Sequence, residues 1–443
     1  MTLTEYYGRL VLVNRHQPEI AGVTTLKTIT REGAVVRCGR CGQVTPVHEA
    51  ALPGGEFYCP QCINLGRVST LCKFYHVPEA NQFELKKPVL TWNGKLSPLQ
   101  ARAAKQVADR MVAHQSQLLW AVTGAGKTEM MFPGIAAALA RGERLAVASP
   151  RVDVCLELYP RLRAAFANTE MALLHGRAER PYHYAQLTVC TTHQLLRFYH
   201  AFDNLIIDEV DAFPYAANPL LFYASRQAVK KTGGRLFLTA TPDATLQGAV
   251  RQRKLAVTYL PLRFHGHLLP TIHCHLARRW RVQLRHQQMP SQLVQAMRSA
   301  LRKQHRFLLF VPHVKDLAPA AAAVHRYFAS QSFVTVHASD PARLTKVQAM
   351  RDGQYQFLIT TSILERGVTF PEIDVFVLGA DDAVFSTAAL VQIAGRAGRS
   401  ASRPTGRVEF WVADHCRRVN QAVRQVAYMN NKGRRCQDAV PAL

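Results

Sequence analysis

Short apolar runs alternate with longer helical segments along most of this chain. The first array contains the polar helix LQARAAKQVADRMVAHQSQ, a strand in LLWAVTGAGKT, the apolar helix PGIAAALA, and strands in FDNLIIDEVDAF and GGRLFLTATP. A second array contains the strand HRFLLFVPH, the helix KDLAPAAAAVHRYFA, the strand FVTVHASD, a helix through Met350 and the segment QYQFLITTSILERGVTF. Strands that alternate with helices indicate parallel sheets built from βαβ units. The sequence therefore predicts an α/β fold with two parallel-sheet domains.

Two proline-bounded stretches divide these arrays. FELKKPVLTWNGKLSP and LPLRFHGHLLP predict boundaries near Lys87 and Leu260, which gives an N-terminal region 1–87 and two domains, 88–260 and 261–443. A chain of 443 residues suits two or three domains of ordinary size. The final stretch NNKGRRCQDAVPAL is polar and lacks periodicity, and it is predicted to be a mobile tail.

The charge balance favours a polyanionic partner. The chain holds 55 Lys and Arg against 30 Asp and Glu, a formal net charge of +25. Nucleic acid is the leading partner for so basic a chain, with an anionic membrane face or ribosome-like adhesion as alternatives. The sequence shows neither an apolar run of about 18 residues nor an N-terminal signal core, so we expect a soluble protein made in the cytosol.

Four of the ten cysteines form two close pairs. Cys38 and Cys41 lie in RCGRCGQ, and Cys59 and Cys62 lie in YCPQCIN, seventeen residues further on. Two C-x2-C pairs at this separation can place four thiolates around one Zn2+, whereas a redox pair would not need a second, matching pair. With four protein ligands the metal has no open position, so the prediction is a structural zinc module.

The other cysteines occur singly. Those among apolar residues read as small core side chains, and Cys436 lies in the polar tail. The stretch IHCHL is interpreted as an ordinary strand, because alternate residues of a strand point to opposite faces. The predicted core cysteines are Cys72, Cys155, Cys190, Cys274 and Cys416.

The stretch AVTGAGKT has the order of a phosphate-binding loop: an apolar strand, a glycine-rich turn, then Lys-Thr opening a helix. Backbone N–H groups of the loop would wrap the phosphates of ATP, Lys127 would reach the β and γ oxygens, and the Thr128 hydroxyl would hold Mg2+. The strict pattern begins with Gly, and here that position is Ala121. The candidate nucleotide contacts are Thr123, Gly124, Ala125, Gly126, Lys127 and Thr128.

A second apolar strand ends in Asp208 and Glu209, about 80 residues after the loop, where a doubly wound sheet brings a neighbouring strand beside the first. The Asp would hold Mg2+ through water, and the Glu would orient and deprotonate the attacking water. At a third strand end, Thr239 and Thr241 are candidates for relaying the nucleotide state through their hydroxyl hydrogen bonds.

The stretch LVQIAGRAGRS carries three polar side chains at spacings of four and three. Gln392, Arg396 and Arg399 would share one face if the segment is helical, and the two arginines are suited to meet a γ-phosphate. The alternative is a solvated basic helix, which leaves the two glycines in GRAGR unexplained because each costs about 1 kcal/mol relative to Ala.

Together these residues resemble the superfamily 2 helicases, whose motor is a pair of RecA-like domains, and in which Ala at the first loop position is common. AVTGAGKT resembles motif I, DEVD motif II, TAT motif III and QIAGRAGR motif VI; SPRVDV, TTHQLL and TTSILERGVTF resemble motifs Ia, Ib and V. LSPLQ is similar to the adenine-contacting Q segment, which implicates Gln100. The resemblance runs in the expected order over residues 92–415.

This resemblance implies ATP bound between two lobes and two alternating grips on nucleic acid. The candidate grips would mainly contact phosphates, so binding should be salt-sensitive and weakly sequence-specific. They are Pro150, Arg151, Thr191 and Thr192 on the first lobe, and Pro312, Thr361 and Gly367 on the second.

VTGAGKTEMMFPGI, DEVDAFPY and one cysteine set in front of the motor are most similar to the DNA-uptake ATPases of competent bacteria. Replication-restart helicases have a related motor but carry two cysteine sets after the first lobe. The likeness implies a single-strand DNA-dependent translocase that draws transforming DNA into the cytosol, beside partner proteins of a membrane channel. An RNA helicase, a replication-restart type of helicase and a nucleic-acid-binding zinc protein with little turnover remain alternatives.

Overall fold

The N-terminal region consists of short strands around one small helix. A computed structural model describes residues 2–176, 182–362, 370–400 and 402–438. The strands β1, β8 and β2 form an antiparallel sheet in the order β1-β8-β2, while β3-β4-β5 and β6-β7 form two smaller sheets. The elements are β1 (Val11–Asn14), β2 (Thr24–Lys27), β3 (Ile29–Glu32), β4 (Val35–Cys38), β5 (Val44–Pro46), α1 (Val47–Ala50), β6 (Ala51–Leu52), β7 (Glu56–Phe57) and β8 (Cys72–His76).

A seven-stranded sheet follows, in the order β11-β12-β10-β13-β14-β9-β15. The pairs from β11 to β14 are parallel, and strands β9, β10, β12 and β13 are buried along their whole length, as expected for a sheet covered on both faces. The elements are α2 (Pro98–Val112), β9 (Gln117–Ala121), α3 (Lys127–Ala140), β10 (Leu145–Ser149), α4 (Val152–Ala165), β11 (Met171–Leu174), β12 (Leu187–Thr191), β13 (Phe202–Asp208), α5 (Pro219–Gln227), β14 (Val229–Thr239), α6 (Ala244–Arg251) and β15 (Ala256–Leu260).

The C-terminal part contains a six-stranded sheet in the order β16-β21-β20-β17-β19-β18, and all five neighbouring pairs are parallel. A buried cluster that includes Trp280, Phe307 and Trp411 forms its core. The elements are β16 (Ile272–Leu276), α7 (Trp280–Arg285), α8 (Ser291–Arg302), β17 (Phe307–Phe310), α9 (Leu317–Tyr327), β18 (Phe333–Val336), α10 (Arg343–Arg351), β19 (Phe357–Thr360), β20 (Asp374–Leu378), α11 (Thr387–Ala394), β21 (Val408–Val412) and α12 (Arg417–Asp438).

The chain forms two compact units. The first contains residues 1–119 and 127–258, and the second contains residues 120–126 and 259–443. The predicted fold class, two RecA-like parallel-sheet domains preceded by a four-cysteine module, is confirmed; the boundaries near Lys87 and Leu260 stay predictions. Short 310 helices complete the secondary structure, at Leu3–Tyr6, Pro53–Gly55, Pro60–Leu65, Thr192–Arg197, Tyr215–Ala217 and Val314–Asp316.

The prediction of a mobile tail from residue 430 is wrong for residues 430–438, which belong to α12. The buried Asn430 side chain donates to Leu269 O at 2.9 Å and accepts from Leu269 N–H at 2.9 Å. Gly433 lets the helix approach closely, since a Cβ there would lie 2.5 Å from a Leu268 methyl carbon. Tertiary contacts therefore order a stretch that has no helical periodicity of its own. Among the described residues, none of the helices is long and apolar enough to span a membrane.

Candidate functional site

The glycine-rich turn is held by backbone hydrogen bonds inside the second unit. Gly124 and Gly126 have φ of 78° and 74°, a conformation that favours glycine. Phe264 N–H donates to Gly124 O at 2.9 Å, and Ala125 N–H donates to Val122 O at 3.2 Å. The turn therefore has the left-handed backbone that a phosphate-binding loop requires.

Helix α3 begins at Lys127, directly after this turn, and belongs to the first unit. The N-terminus of a helix presents unpaired N–H groups and a partial positive charge, which suit a phosphate. Thr128 is buried in the first turn of the helix. Both side chains thus occupy the positions that the nucleotide prediction requires, while their contact with ATP stays a prediction.

The candidate acidic residues lie at the carboxyl end of β13. The expectation that this strand lies beside β9 is wrong, because β14 is inserted between them. Asp208 ends the strand and accepts the Glu209 N–H at 2.9 Å. Glu209 has a φ of 54°, which is uncommon for a residue with a side chain. Residues with such backbone conformations are concentrated at functional sites. The chain therefore leaves the strand in a sharp turn at Glu209.

Asp211 joins this turn to the end of β14. It accepts the Thr239 hydroxyl at 2.6 Å and also accepts the Thr241 hydroxyl, while Thr241 N–H donates to Thr239 Oγ1 at 2.8 Å. The two threonines predicted as a relay are thus bonded to the acidic turn that contains Glu209. A movement of this turn would have to break or rearrange these hydroxyl bonds.

The segment through Gln392, Arg396 and Arg399 is not one helix, so the condition for a shared helical face is not met. Helix α11 ends at Ala394, and Arg399 has a left-handed φ of 66°. Its Nε donates to Gly395 O at 2.9 Å, which folds the side chain back over the end of the helix. Gln392 and Arg396 are 7% and 2% exposed. The two arginines are therefore positioned by a buried loop rather than by a solvated helix face.

Close packing inside the second unit explains the two glycines of GRAGR. A Cβ at Gly395 would lie 1.9 Å from Thr123 Oγ1, and a Cβ at Gly398 would lie 2.3 Å from Pro404 O. The Thr123 hydroxyl also donates to Gly395 O at 3.4 Å. The glycine-rich turn and the loop after α11 are thus packed together without room for a side chain.

Arg263 is a buried residue at this contact that sequence reasoning missed. It is 2% exposed, and its guanidinium donates to Gly395 O at 3.1 Å and to Pro404 O at 3.2 Å. Burial, together with the charge of Arg399, lowers the pKa of Arg263 to about 9. A single arginine in a proline-flanked loop gave no signal in the sequence, because only the folded chain shows that it is buried.

Gln100 lies in the first turn of α2. Its Oε1 accepts Ser97 N–H at 2.9 Å, and Ser97 Oγ accepts Gln100 N–H at 3.4 Å, which together form a capping box. The side chain is therefore fixed at the N-terminus of the helix. An adenine contact by Gln100 stays a prediction.

The candidate nucleic-acid contacts on the first unit follow strand ends. Pro150 and Arg151 follow β10, and the Arg151 guanidinium forms two bonds with the carboxylate of Asp153, at 2.7 and 3.0 Å. Thr191 ends β12 and Thr192 follows it, with 5% and 0% exposure. Both residues are buried, backbone included, so nucleic-acid contact at these threonines stays a prediction.

On the second unit, Pro312 is buried after β17, and Thr361 is 7% exposed after β19. Both follow strand ends, and their contact with nucleic acid stays a prediction. Gly367 lies outside the described residues.

The four predicted zinc ligands converge. The Sγ atoms of Cys38 and Cys62 are 3.9 Å apart, those of Cys41 and Cys59 are 3.5 Å apart, and all four lie within 4.8 Å of one another. Tetrahedral coordination with Zn–S bonds of about 2.3 Å requires S–S separations of about 3.8 Å. The buried donor set therefore fits one zinc ion.

Arg40 lies between Cys38 and Cys41 in the sequence and forms hydrogen bonds with Cys62 of this cluster. It is 3% exposed, and its Nε donates to Cys62 Sγ at 3.4 Å while Nη2 donates to Cys62 O at 3.1 Å. Hydrogen bonds from Cys38, Cys41 and Cys59, with the charge of Arg40, lower the pKa of the Cys62 thiol. A lowered thiol pKa favours the thiolate, which is the form that binds metal.

The single cysteines only partly match their prediction. Cys155 and Cys190 are buried, Cys72, Cys416 and Cys436 are half-buried, and Cys274 is exposed. The prediction of a core position is wrong for Cys274, because β16 is the edge strand of its sheet and presents its middle residues to solvent.

Two RecA-like sheets, a glycine-rich turn after β9 and carboxylates at the end of β13 in the same sheet are the features of a helicase-like, ATP-dependent nucleic-acid motor. Residues 93–244 match the family described as type III restriction enzyme, res subunit, and residues 289–401 match the helicase conserved C-terminal domain. The fold is similar to that of a leucine-to-valine variant of S. cerevisiae Dbp5 bound to RNA and ADP BeF3 (13% identity, 75% of this chain and 91% of that chain, TM-score 0.51). It is also similar to that of RecG bound to a three-way DNA junction (17% identity, 77% of this chain and 45% of that chain, TM-score 0.51).

Two curated relatives cover nearly the whole chain. Competence protein ComFA of Streptococcus pneumoniae (strain ATCC BAA-255 / R6) is 38% identical over 435 residues, which is 97% of this chain and 98% of that protein. Competence protein ComFA of Bacillus subtilis (strain 168) is 39% identical over 414 residues, which is 92% of this chain and 88% of that protein. The chain therefore belongs to the ComFA family of competence proteins.

Proposed function

We propose that this protein is a single-stranded-DNA-stimulated ATPase that translocates along DNA and drives the uptake of transforming DNA during competence. The observation that carries the proposal is the 38–39% sequence identity of this chain to two competence proteins over nearly its whole length. The net charge of +25 supports a polyanionic track. In this proposal the protein works at the inner face of the membrane, beside the proteins of a DNA channel.

The proposed chemistry assigns one role to each predicted residue of the first unit. Lys127 contacts the β and γ oxygens of ATP, Thr128 and Asp208 hold Mg2+, and Glu209 orients and deprotonates the attacking water. Mg2+ supplies charge neutralisation on the transferred phosphoryl group. Glu209 is suited to this role because its backbone is already held in the left-handed turn after β13.

The second unit supplies the remaining polar side chains of the proposal. Arg396 and Arg399 approach the γ-phosphate, and Gln392 belongs to the same catalytic group. Hydrolysis would then be coupled to the grip on DNA through the residues at the strand ends, with Asp211 and its two threonine partners as the relay.

The zinc cluster has a structural role in this proposal. Cys38, Cys41, Cys59 and Cys62 supply all four ligands, so the metal stabilises the N-terminal module and takes no part in the hydrolysis.

The test is the ATPase rate of the full chain with no nucleic acid, single-stranded DNA, duplex DNA and single-stranded RNA. A Lys127→Ala variant serves as the control for contaminating ATPase. Strong stimulation by single-stranded DNA alone supports the DNA-uptake motor. Equal or greater stimulation by RNA would favour an RNA helicase, and absence of turnover would favour a nucleic-acid-binding zinc protein.

A further inference from the structure

A cavity with two arginines lies inside the first unit, where the N-terminal region meets the parallel sheet. Its volume is about 350 Å3. Its walls come from the N-terminal segment, the zinc module, the end of β11 and the 310 helix Thr192–Arg197. The lining residues that matter here are Arg9, Leu65, His175, Tyr182, Gln194 and Arg197.

Backbone pairing brings the segments that contain the two arginines together. Leu10 N–H donates to Arg197 O at 2.9 Å, and Tyr199 N–H donates to Gly8 O at 2.8 Å. Arg9 and Phe198 form an antiparallel bridge between these bonds. The N-terminal segment therefore lies beside the segment of Arg197, and both arginines line the cavity.

Neighbouring groups compensate these charges only in part. The Arg9 guanidinium lies 3.7 Å from the centre of the Tyr182 ring and donates to Glu5 O at 2.9 Å, while its buried Nε has no hydrogen-bond partner among the described residues. Burial lowers the pKa of Arg9, and the charges of Arg197 and Arg144 lower it further. Tyr182 and Glu5 act in the opposite direction and raise it. Arg197 is exposed as a whole residue, but partial burial of its guanidinium and the charge of Arg40 lower its pKa. Like charges held together with a spare donor are suited to an anion.

The position of the cavity favours the backbone of a nucleic acid as that anion. Strands β10, β12 and β11 are adjacent and parallel, so their carboxyl ends lie at one edge of the sheet. The proposed DNA contacts follow β10 and β12, and the cavity begins at Leu174, the last residue of β11. Neighbouring strands are about 4.8 Å apart, so the cavity lies about 10 Å beyond the end of β10 along the same edge.

We infer that Arg9 and Arg197 together bind one phosphodiester of single-stranded DNA and extend the proposed track from the parallel sheet onto the N-terminal region. This inference rests on the proposed function, because it takes single-stranded DNA as the ligand. Phosphate binding by two arginines that share one site is not additive, since removing either one disrupts the same contact. The exposed Arg197 can be replaced with less risk to the fold than the half-buried Arg9.

The experiment measures binding of a fluorescent oligothymidylate by the full chain across a salt series. The variants are Arg197→Gln, Arg9→Gln and the double substitution. The matched control is Arg163→Gln, which removes the same charge from an exposed position. Arg163 lies in the last turn of α4, which runs back from the carboxyl end of β10 toward the amino ends of the strands. Thermal unfolding and ATPase without DNA report on the fold of each variant.

We expect Arg197→Gln to weaken DNA binding about tenfold, with the slope of log K against log salt smaller by about 0.7, the value for one phosphate of a single strand. The double variant should lose little more than either single variant. Binding by Arg197→Gln that equals Arg163→Gln would overturn the inference, and so would additive losses. Loss of binding to phosphatidylglycerol vesicles with DNA binding intact would assign the site to a membrane. A wild-type protein that does not bind single-stranded DNA would refute the proposed function itself.

Discussion

Replacing Gly395 with Ala tests whether the packing of the glycine-rich turn controls ATP turnover. A Cβ at this position would lie 1.9 Å from Thr123 Oγ1, 2.8 Å from Thr123 Cβ and 3.0 Å from Thr123 Cγ2. Rotating the Thr123 side chain moves Oγ1 and Cγ2 but leaves its Cβ in place. The strain can therefore be relieved only by shifting backbone in the turn or in the loop after α11.

The size of the effect follows from this geometry. Even after rotation of the side chain, moving Thr123 Cβ from 2.8 Å to an ordinary contact of about 3.4 Å requires a backbone shift of about 0.6 Å. Overpacking of this kind costs about 1–3 kcal/mol. If the displaced turn must return to its original position to hold the phosphates, the same free energy raises the KM for ATP by about 5- to 150-fold.

Steady-state ATPase kinetics and thermal unfolding measure the two consequences. Gly248→Ala is the matched control, since a Cβ at Gly248 in α6 meets nothing within 4 Å. Adding Thr123→Gly removes the three clashing atoms, so the double variant should recover part of the loss, with a coupling of about 0.5–3 kcal/mol. A Gly395→Ala protein with the KM and unfolding temperature of the Gly248→Ala control would refute the reasoning.

Four further predictions concern the proposed base, the zinc site, DNA binding and the buried Arg263. Glu209→Gln should retain ATP binding while turnover falls by about 10²- to 10⁴-fold, and unchanged turnover would remove its assignment as the base. Cys59→Ser should lose bound zinc by elemental analysis and lower the unfolding temperature, whereas Cys436→Ser should do neither; retained zinc in Cys59→Ser would contradict the ligand assignment. DNA affinity should fall linearly on logarithmic axes as salt rises, by about 0.7 per phosphate contact, and a flat response would exclude a phosphate-tracking groove. Arg263→Gln should lower both the unfolding temperature and ATPase activity, because it leaves buried carbonyls unpaired; values equal to wild type would show that its burial has no role.

Local patterns in the sequence predicted the features that depend on neighbouring residues. The apolar run before Asp208 is sufficient to indicate a buried strand with a carboxylate at its end, and β13 does end there. The spacing of the four cysteines likewise predicted a cluster that the fold brings together. These predictions succeed because period, turn residues and ligand spacing are set within a few residues of the chain.

Features that depend on distant contacts could not be predicted in this way. Helix α12 continues through polar residues because Asn430 bonds both backbone groups of Leu269. Arg263 became notable only because folding buries it beside Gly395. The reason for that glycine is likewise a partner, Thr123, that is remote in the sequence. In each case the information lies in tertiary packing, which overrides local propensity.

The N-terminal region and the first parallel sheet share a buried ion pair, which links the zinc cluster to the motor. Arg144, just before β10, donates to Glu79, and both side chains are 0% exposed. Removing one partner of such a pair costs about 3–5 kcal/mol, because it leaves a buried charge uncompensated. The zinc module also contacts α5, where Gln227 Nε2 donates to Gly39 O at 3.3 Å. Since α5 follows the turn that contains Glu209, metal loss should alter ATPase kinetics as well as stability. The zinc module and the first parallel sheet should then unfold in one transition.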